Sequence, residues 1–111
     1  MDIVVIGSGG VAESLVFSLT QAGVAPRVIV SPTPGHAERL RDLYAPESSV
    51  LHDLVEMPRN ADIYFLAVTD TAIASCAAQI PSTSGVWLHT AACVPVETLT
   101  QYHPDSGIFY P

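Results

Sequence analysis

The chain has 111 residues, enough for one domain, with 49% hydrophobic and only 14% charged residues, a composition that excludes a disordered or solvating segment. Its net charge is −7 with four Lys and Arg in total, too few for a stripe that tracks nucleic-acid phosphates, so no nucleic-acid partner is expected. No run approaches the roughly 20 apolar residues of a membrane helix, the N-terminus lacks a basic leader, and two cysteines make no disulfide framework, so a reduced, cytoplasmic setting is expected.

The first element is IVVI (3–6), short, continuous and β-branched, as in a strand buried on both faces. Val11, Leu15, Leu19 and Ala22, with Ala12 and Val16, then mark one face of a helix that Gly23 stops. RVIV (27–30) reads as the second strand and SPTPGH as a break. A second helix carries Ala37, Leu40, Leu43 and Tyr44. A short third strand is expected around Val50 and Leu51. ADIYFLAV (61–68) is a fourth, followed by a helix over 71–80 with Ile73, Ala77 and Ile80 on one side. Asp70 stands where a helix cap would, a role that outweighs a ligand contact. GVWLH (85–89) reads as a strand, VPVETL as a short helix with Pro95 in its first turn, and GIFYP (107–111) as a last strand. Strand and helix alternate throughout, which predicts an α/β fold, three-layered and doubly wound, around a mainly parallel sheet.

Between the first strand and the first helix lies Gly7-Ser8-Gly9-Gly10-Val11-Ala12, the pattern G-x-G-x-x-A. Each position has a physical task in binding a dinucleotide. Gly7 permits the turn out of the strand, Gly9 lets a pyrophosphate approach the backbone, and Ala12 lets helix and strand pack closely. Free N–H groups and the helix dipole favour an anion there. The competing reading is a glycine turn needed only for packing.

An NAD site usually ends its second strand with Asp or Glu, to hold the ribose hydroxyls. This chain has VSPTPGH, with no acid before Glu38. Ser31 and Thr33 suit a 2′-phosphate, and His36 and Arg39 would add charge, so NADP is favoured over NAD. The alternative for Ser31 is simple loop capping, and Pro32 stands where an Arg would be expected.

His89 and Thr90 end the strand before the last helix. His89 is the candidate for a hydrogen bond to cofactor or substrate, or for a general acid, and equally for a histidine that holds loop backbone. No partner for it is evident, and no catalytic residue is assigned. His52 and His103 read as surface residues, Trp87 as core, Cys76 as a buried inert thiol and Cys93 as a loop residue without an activating base. Neither a CxxC pair nor an HExxH motif is present, so no metal is expected.

IVVIGSGGVAESL, ADIYFLAVTDTAIAS and VWLHTAA, in this order, resemble the Rossmann-type proteins whose C-terminal half is a helical domain of unknown function. These are relatives of pyrroline-5-carboxylate reductase, ketopantoate reductase and 6-phosphogluconate dehydrogenase. AVTDTAI is similar to the family's Ala-Val-x-Asp-x-x-Ile segment, HTAA to its His-Thr-Ser-Gly, and GIFYP to a segment that continues as Tyr-Pro-Leu-Gln-Thr-Phe. Ala91-Ala92 replace Ser-Gly. The resemblance implies a single NAD(P)-binding domain over 1–111, an NADP-dependent oxidoreductase, and a backbone at Ala67, Val68 and Thr69 lining the nicotinamide-ribose side. It implies hydride transfer to or from a small carbonyl, imine or hydroxy substrate, with an inactive fragment if the helical substrate and dimerisation domain is lacking. The end inside a predicted strand reads as a truncation, and exposed apolar surface there would favour a homodimer. Rival readings are a nucleotide-binding sensor or scaffold without redox chemistry, and a degenerate domain kept for dimerisation.

Overall fold

The computed structural model describes residues 1–33, 35–80, 82–91 and 93–109. Six strands form one sheet: β1 (Ile3–Ile6), β2 (Val28–Val30), β3 (Ser49–Leu51), β4 (Ile63–Leu66), β5 (Val86–His89) and β6 (Ser106–Ile108). The helices are α1 (Gly10–Gln21), α2 (His36–Tyr44), α3 (Ile73–Gln79) and α4 (Glu97–Thr100).

The strand order is β3-β2-β1-β4-β5-β6, with every pair parallel. Alternate residues of each strand enter opposite cores, the period-2 consequence of the pleat. Ile3, Val5, Ile29 and Phe65 pack under α1 and α2 with Ala12, Leu15, Val16, Ala37 and Leu40. Val4, Ile6, Val28, Val30, Tyr64, Leu66 and Trp87 pack on the other face with Ile73, Ala77 and Leu99 of α3 and α4. Burial on both faces is why these strands are unbroken apolar runs. The three layers and the all-parallel sheet are as the alternation predicts.

The element ends differ in places. Gly23 does stop α1: it has a positive φ, its N–H bonds Thr20 O at 3.1 Å, and the Val24 N–H bonds Leu19 O at 2.9 Å. This paired arrangement satisfies carbonyls that the last turn would leave free. The strand expected over 61–68 is regular only at 63–66, although its ladder continues through Asp62 N–H to Asp2 O and Ala67 N–H to Ile6 O, both 2.8 Å. The helix expected over 71–80 begins as a 3₁₀ turn at Asp70–Ala72. Asp70 is not its cap: Thr69 precedes the turn, and no side chain caps it. A 3₁₀ turn at Leu54–Glu56, not foreseen in the sequence, joins β3 towards β4. The last predicted strand is regular at 106–108, and its positions 110–111 lie outside the described residues.

Trp87 is core, as expected, and is sandwiched. Its ring stacks on Tyr64 at 4.5 Å with an interplanar angle of 4°, and on His103 at 4.5 Å and 21°. His103 is therefore buried, contrary to the surface role expected for it. Leu99, one turn of chain earlier, draws its segment against α3, and no periodicity in so short a helix signals this.

Candidate functional site

In a sheet of this order the crossovers diverge between β1 and β4, leaving a crevice at the strand carboxyl ends. Gly7 stands at that point. Its φ is +125°, and a Cβ there would run into the Ala67 carbonyl at the end of β4. Its N–H bonds Val30 O at 2.8 Å, so three strands converge on a residue with no side chain. Gly7 is bare so that the chain can pack.

Gly9 and Gly10 are bare for a different reason. A Cβ on either would meet nothing within 4 Å. Gly9 has a negative φ of −83° and precedes α1 without a side-chain cap. Its carbonyl accepts the Glu13 N–H at 2.9 Å. The N–H groups of Gly10, Val11 and Ala12 come before the first intrahelical bond and have no partner within the helix. Gly9, Gly10 and Val11 are exposed, so this backbone faces open space at the positive end of the helix dipole.

The acid in the first turn of α1, Glu13, is already engaged. Tyr44 donates to it at 2.6 Å and Arg39 at 3.1 and 3.4 Å. The Tyr44 hydroxyl, and then Arg39, hold its carboxyl below the ordinary range. Arg39, expected to add charge at the ribose end, is thus turned onto α1.

Ser31, at the end of β2, is 1% exposed. Its hydroxyl meets the Ser8 hydroxyl at 2.8 Å and accepts the Thr33 N–H at 3.3 Å. It braces the glycine loop and the following turn together, which is the capping arrangement weighed for it. Beyond it opens a cavity of about 410 Å³, mostly apolar. Ile6, Gly7 and Val30 form its floor, Pro32 and His52–Val55 one wall, and Val68, Ala72 and Cys76 the other. Cys76 is half-buried on the cavity wall rather than fully buried as expected, and desolvation pushes its thiol up, in keeping with an inert cysteine. Cys93 is exposed.

His52 is exposed but not idle. It reaches the Ser31 carbonyl and Glu38, and lines the cavity. Sequence reasoning missed it because the β3 end is adjacent to the β2 end only in the folded sheet. Asp53 beside it accepts the Val55 N–H at 3.0 Å and starts the 3₁₀ turn.

On the other side of the switch point, Ala67 is buried, Val68 lines the cavity and Thr69 is exposed. Leu66 pairs with His89 in register, so Ala67 and Thr90 follow side by side. His89 is fully buried, and its Nδ1 accepts the Ala91 N–H at 3.2 Å. This places the hydrogen on Nε2, which is buried and has no hydrogen-bond partner among the described residues, so the ring holds loop backbone with one nitrogen and keeps a donor on the other. Thr90 is half-buried. Ala92, in the segment compared with His-Thr-Ser-Gly, lies outside the described residues.

A parallel sheet of this order, with a glycine turn and an open helix N-terminus at its switch point, defines a dinucleotide-binding domain of the Rossmann class. The chain belongs to the family of NADP oxidoreductases described as coenzyme F420-dependent, which matches residues 2–88. Among solved structures it is similar to a protein from Bacteroides fragilis described as an NADP oxidoreductase, with a TM-score of 0.90 and 28% identity over 99% of this chain and 43% of that one. A Thermotoga maritima protein matches with a TM-score of 0.68 and 17% identity over 88% of this chain and 36% of that one. The TrkA-N domain of an Escherichia coli inner membrane protein shares the fold at a TM-score of 0.60 and 16% identity, over 98% of this chain and 86% of that one. The chain thus spans less than half the length of the first two. No curated protein matches it. Among the described residues, no helix is long and apolar enough to cross a membrane.

Proposed function

We propose that residues 1–111 are the NADP-binding domain of an oxidoreductase, with NADP preferred to NAD. The observation that carries this reading is the bare backbone at Gly9 and Gly10, with open space where a Cβ would stand and free amides behind it. A pyrophosphate fits such a cradle. Gly7, Ser8 and Val11 frame it, and the cavity beside Val30 and Pro32 takes the adenosine end. The preference for NADP is supported by the end of β2, where Ser31 stands in place of a carboxylate.

Ala67, Val68, Thr69, His89 and Thr90 edge the nicotinamide side. A nicotinamide held there supplies or accepts a hydride, and the protein's part is to fix the ring against a small carbonyl, imine or hydroxy substrate. The substrate wall is supplied from outside these residues. A homodimer and a cytoplasmic setting belong to the same proposal.

A second reading, nucleotide binding without redox chemistry, is favoured by the full burial of His89, whose Nδ1 accepts from the Ala91 amide. Thermal unfolding with NADPH, with NADH and without nucleotide tests the binding. A ligand held only by the native state adds about 2.7 kcal/mol at a hundredfold excess over Kd. A shift with NADPH exceeding that with NADH is expected, and no shift with either refutes the reading. Nucleotide that binds but is never oxidised or reduced across a panel of carbonyl and imine substrates, with and without coenzyme F420, would favour the second reading.

A further inference from the structure

His52 is held at both ring nitrogens. Nδ1 lies 2.9 Å from the Ser31 carbonyl oxygen, and Nε2 lies 2.9 Å from Glu38 Oε2. A carbonyl and a carboxylate only accept, whereas a neutral imidazole has a single N–H to donate. Only the imidazolium satisfies both contacts. The ring thereby ties the end of β3 to the turn after β2 and to the first turn of α2. It also forms part of the cavity wall beside Pro32 and Val30.

We propose that His52 is a protonation-dependent latch on the adenosine wall of the cleft, and that dinucleotide affinity falls when the latch loses its proton. The inference rests on the cleft being the dinucleotide site. It makes His52 a positioning residue, acting through the Ser31 turn, whose hydroxyl in turn holds Ser8 of the glycine loop.

The charges facing the ring sustain its proton. Glu38 approaches from α2 and Glu56 from the 3₁₀ turn after β3; β2 offers the Ser31 carbonyl and no titratable side chain. Asp53, the next residue, lines the same cavity. The Ser31 carbonyl, then Glu38 and Glu56, hold the ring above the ordinary histidine range against some desolvation. Glu38 is held low by its own amide, by His52 and by the Gly35 amide, and so remains a carboxylate. A raised folded value means that the latch is complete below the ordinary histidine range and is lost as pH rises through the raised value. Once the ring is neutral it keeps a single N–H, so one of the two contacts, to the Ser31 carbonyl or to the Glu38 carboxylate, faces a bare lone pair and becomes repulsive.

The test compares the protein with His52→Gln, which keeps an amide donor for Ser31 but carries no charge. Dissociation constants for NADPH and NADH are measured from about pH 6 to about pH 9, spanning the histidine titration. The difference between the two proteins removes the titration of the nucleotide itself. Both nucleotides are expected to bind the unmodified protein roughly two- to fivefold more weakly at the alkaline end, the range of an exposed ion pair, with a flat difference profile absent. A loss confined to NADPH overturns the latch, because the ring would then be meeting the 2′-phosphate. Equal profiles for both proteins overturn it as well. If neither nucleotide binds at any pH, the reading of the cleft fails, and nucleotide-free NMR decides the latch. Ser31 and Thr33 amide signals that follow the His52 titration, and cease to in Glu38→Gln, support it; signals that stay still overturn it.

Discussion

The hydroxyls of Ser8 and Ser31 meet at 2.8 Å, joining the glycine loop after β1 to the end of β2 across 23 residues of chain. Ser31 also receives the Thr33 amide. Ser31→Ala removes both interactions and is expected to cost about 1 kcal/mol of stability, the net worth of a buried hydrogen bond. Binding of NADPH and NADH should weaken together, since the loop between them loosens. Ser31→Asp should instead raise the NADH/NADPH affinity ratio by placing a carboxylate at the ribose end. Paired calorimetric titrations measure both, and an unchanged ratio would place Ser31 away from the ribose.

Gly7 tests packing. Its φ of +125° and the Ala67 carbonyl both oppose a side chain. Gly7→Ala is expected to cost more than about 2 kcal/mol, since strain at a glycine-only position adds to a clash with backbone that cannot move aside. Urea unfolding checks it; a midpoint unchanged from the parent would show that β1 and β4 can separate at little cost.

Gly9 tests binding. With nothing within 4 Å of its would-be Cβ and a negative φ, Gly9→Val should cost no more than about 1 kcal/mol of stability, the difference between glycine and an apolar residue at a helix N-cap. The stabilisation by NADPH should vanish. Retained stabilisation in this variant would mean that no phosphate approaches that backbone.

His103 makes the fold sensitive to acid. Burial against Trp87 holds its imidazole below the ordinary value. A lowered folded value means that the unfolded chain binds the proton more readily, so stability is full above the ordinary histidine range and declines as pH falls through it towards the folded value. His103→Phe should keep the stack and remove this part of the acid dependence. Thermal midpoints of the two proteins between about pH 5 and pH 8 should converge at the upper end and separate at the lower. Parallel curves would show that His103 binds its proton equally in both states.

Much of the architecture was legible in the residues because it follows from local rules. Strands buried on both faces must be unbroken apolar runs, so IVVI, VIV and IYFL announce a parallel sheet, and a helix needs its 3.6-residue stripe, so the stripe through Leu15, with Ala12 and Val16 beside it, announces α1, although Val11 and Ala22 at its ends are exposed. The glycine pattern was legible for the same reason, as a turn between a strand and a helix adjacent in the chain. Contacts between distant segments carry no such mark. That Gly7 presses on Ala67 while Gly9 faces open space depends on β4 lying beside β1. That His52 reaches Ser31 and Glu38 depends on β3 lying beside β2, and that His103 is buried depends on Trp87 offering it a ring face. Periodicity decides which face of an element is buried; only the order of strands in the sheet decides which ends of those elements share a site.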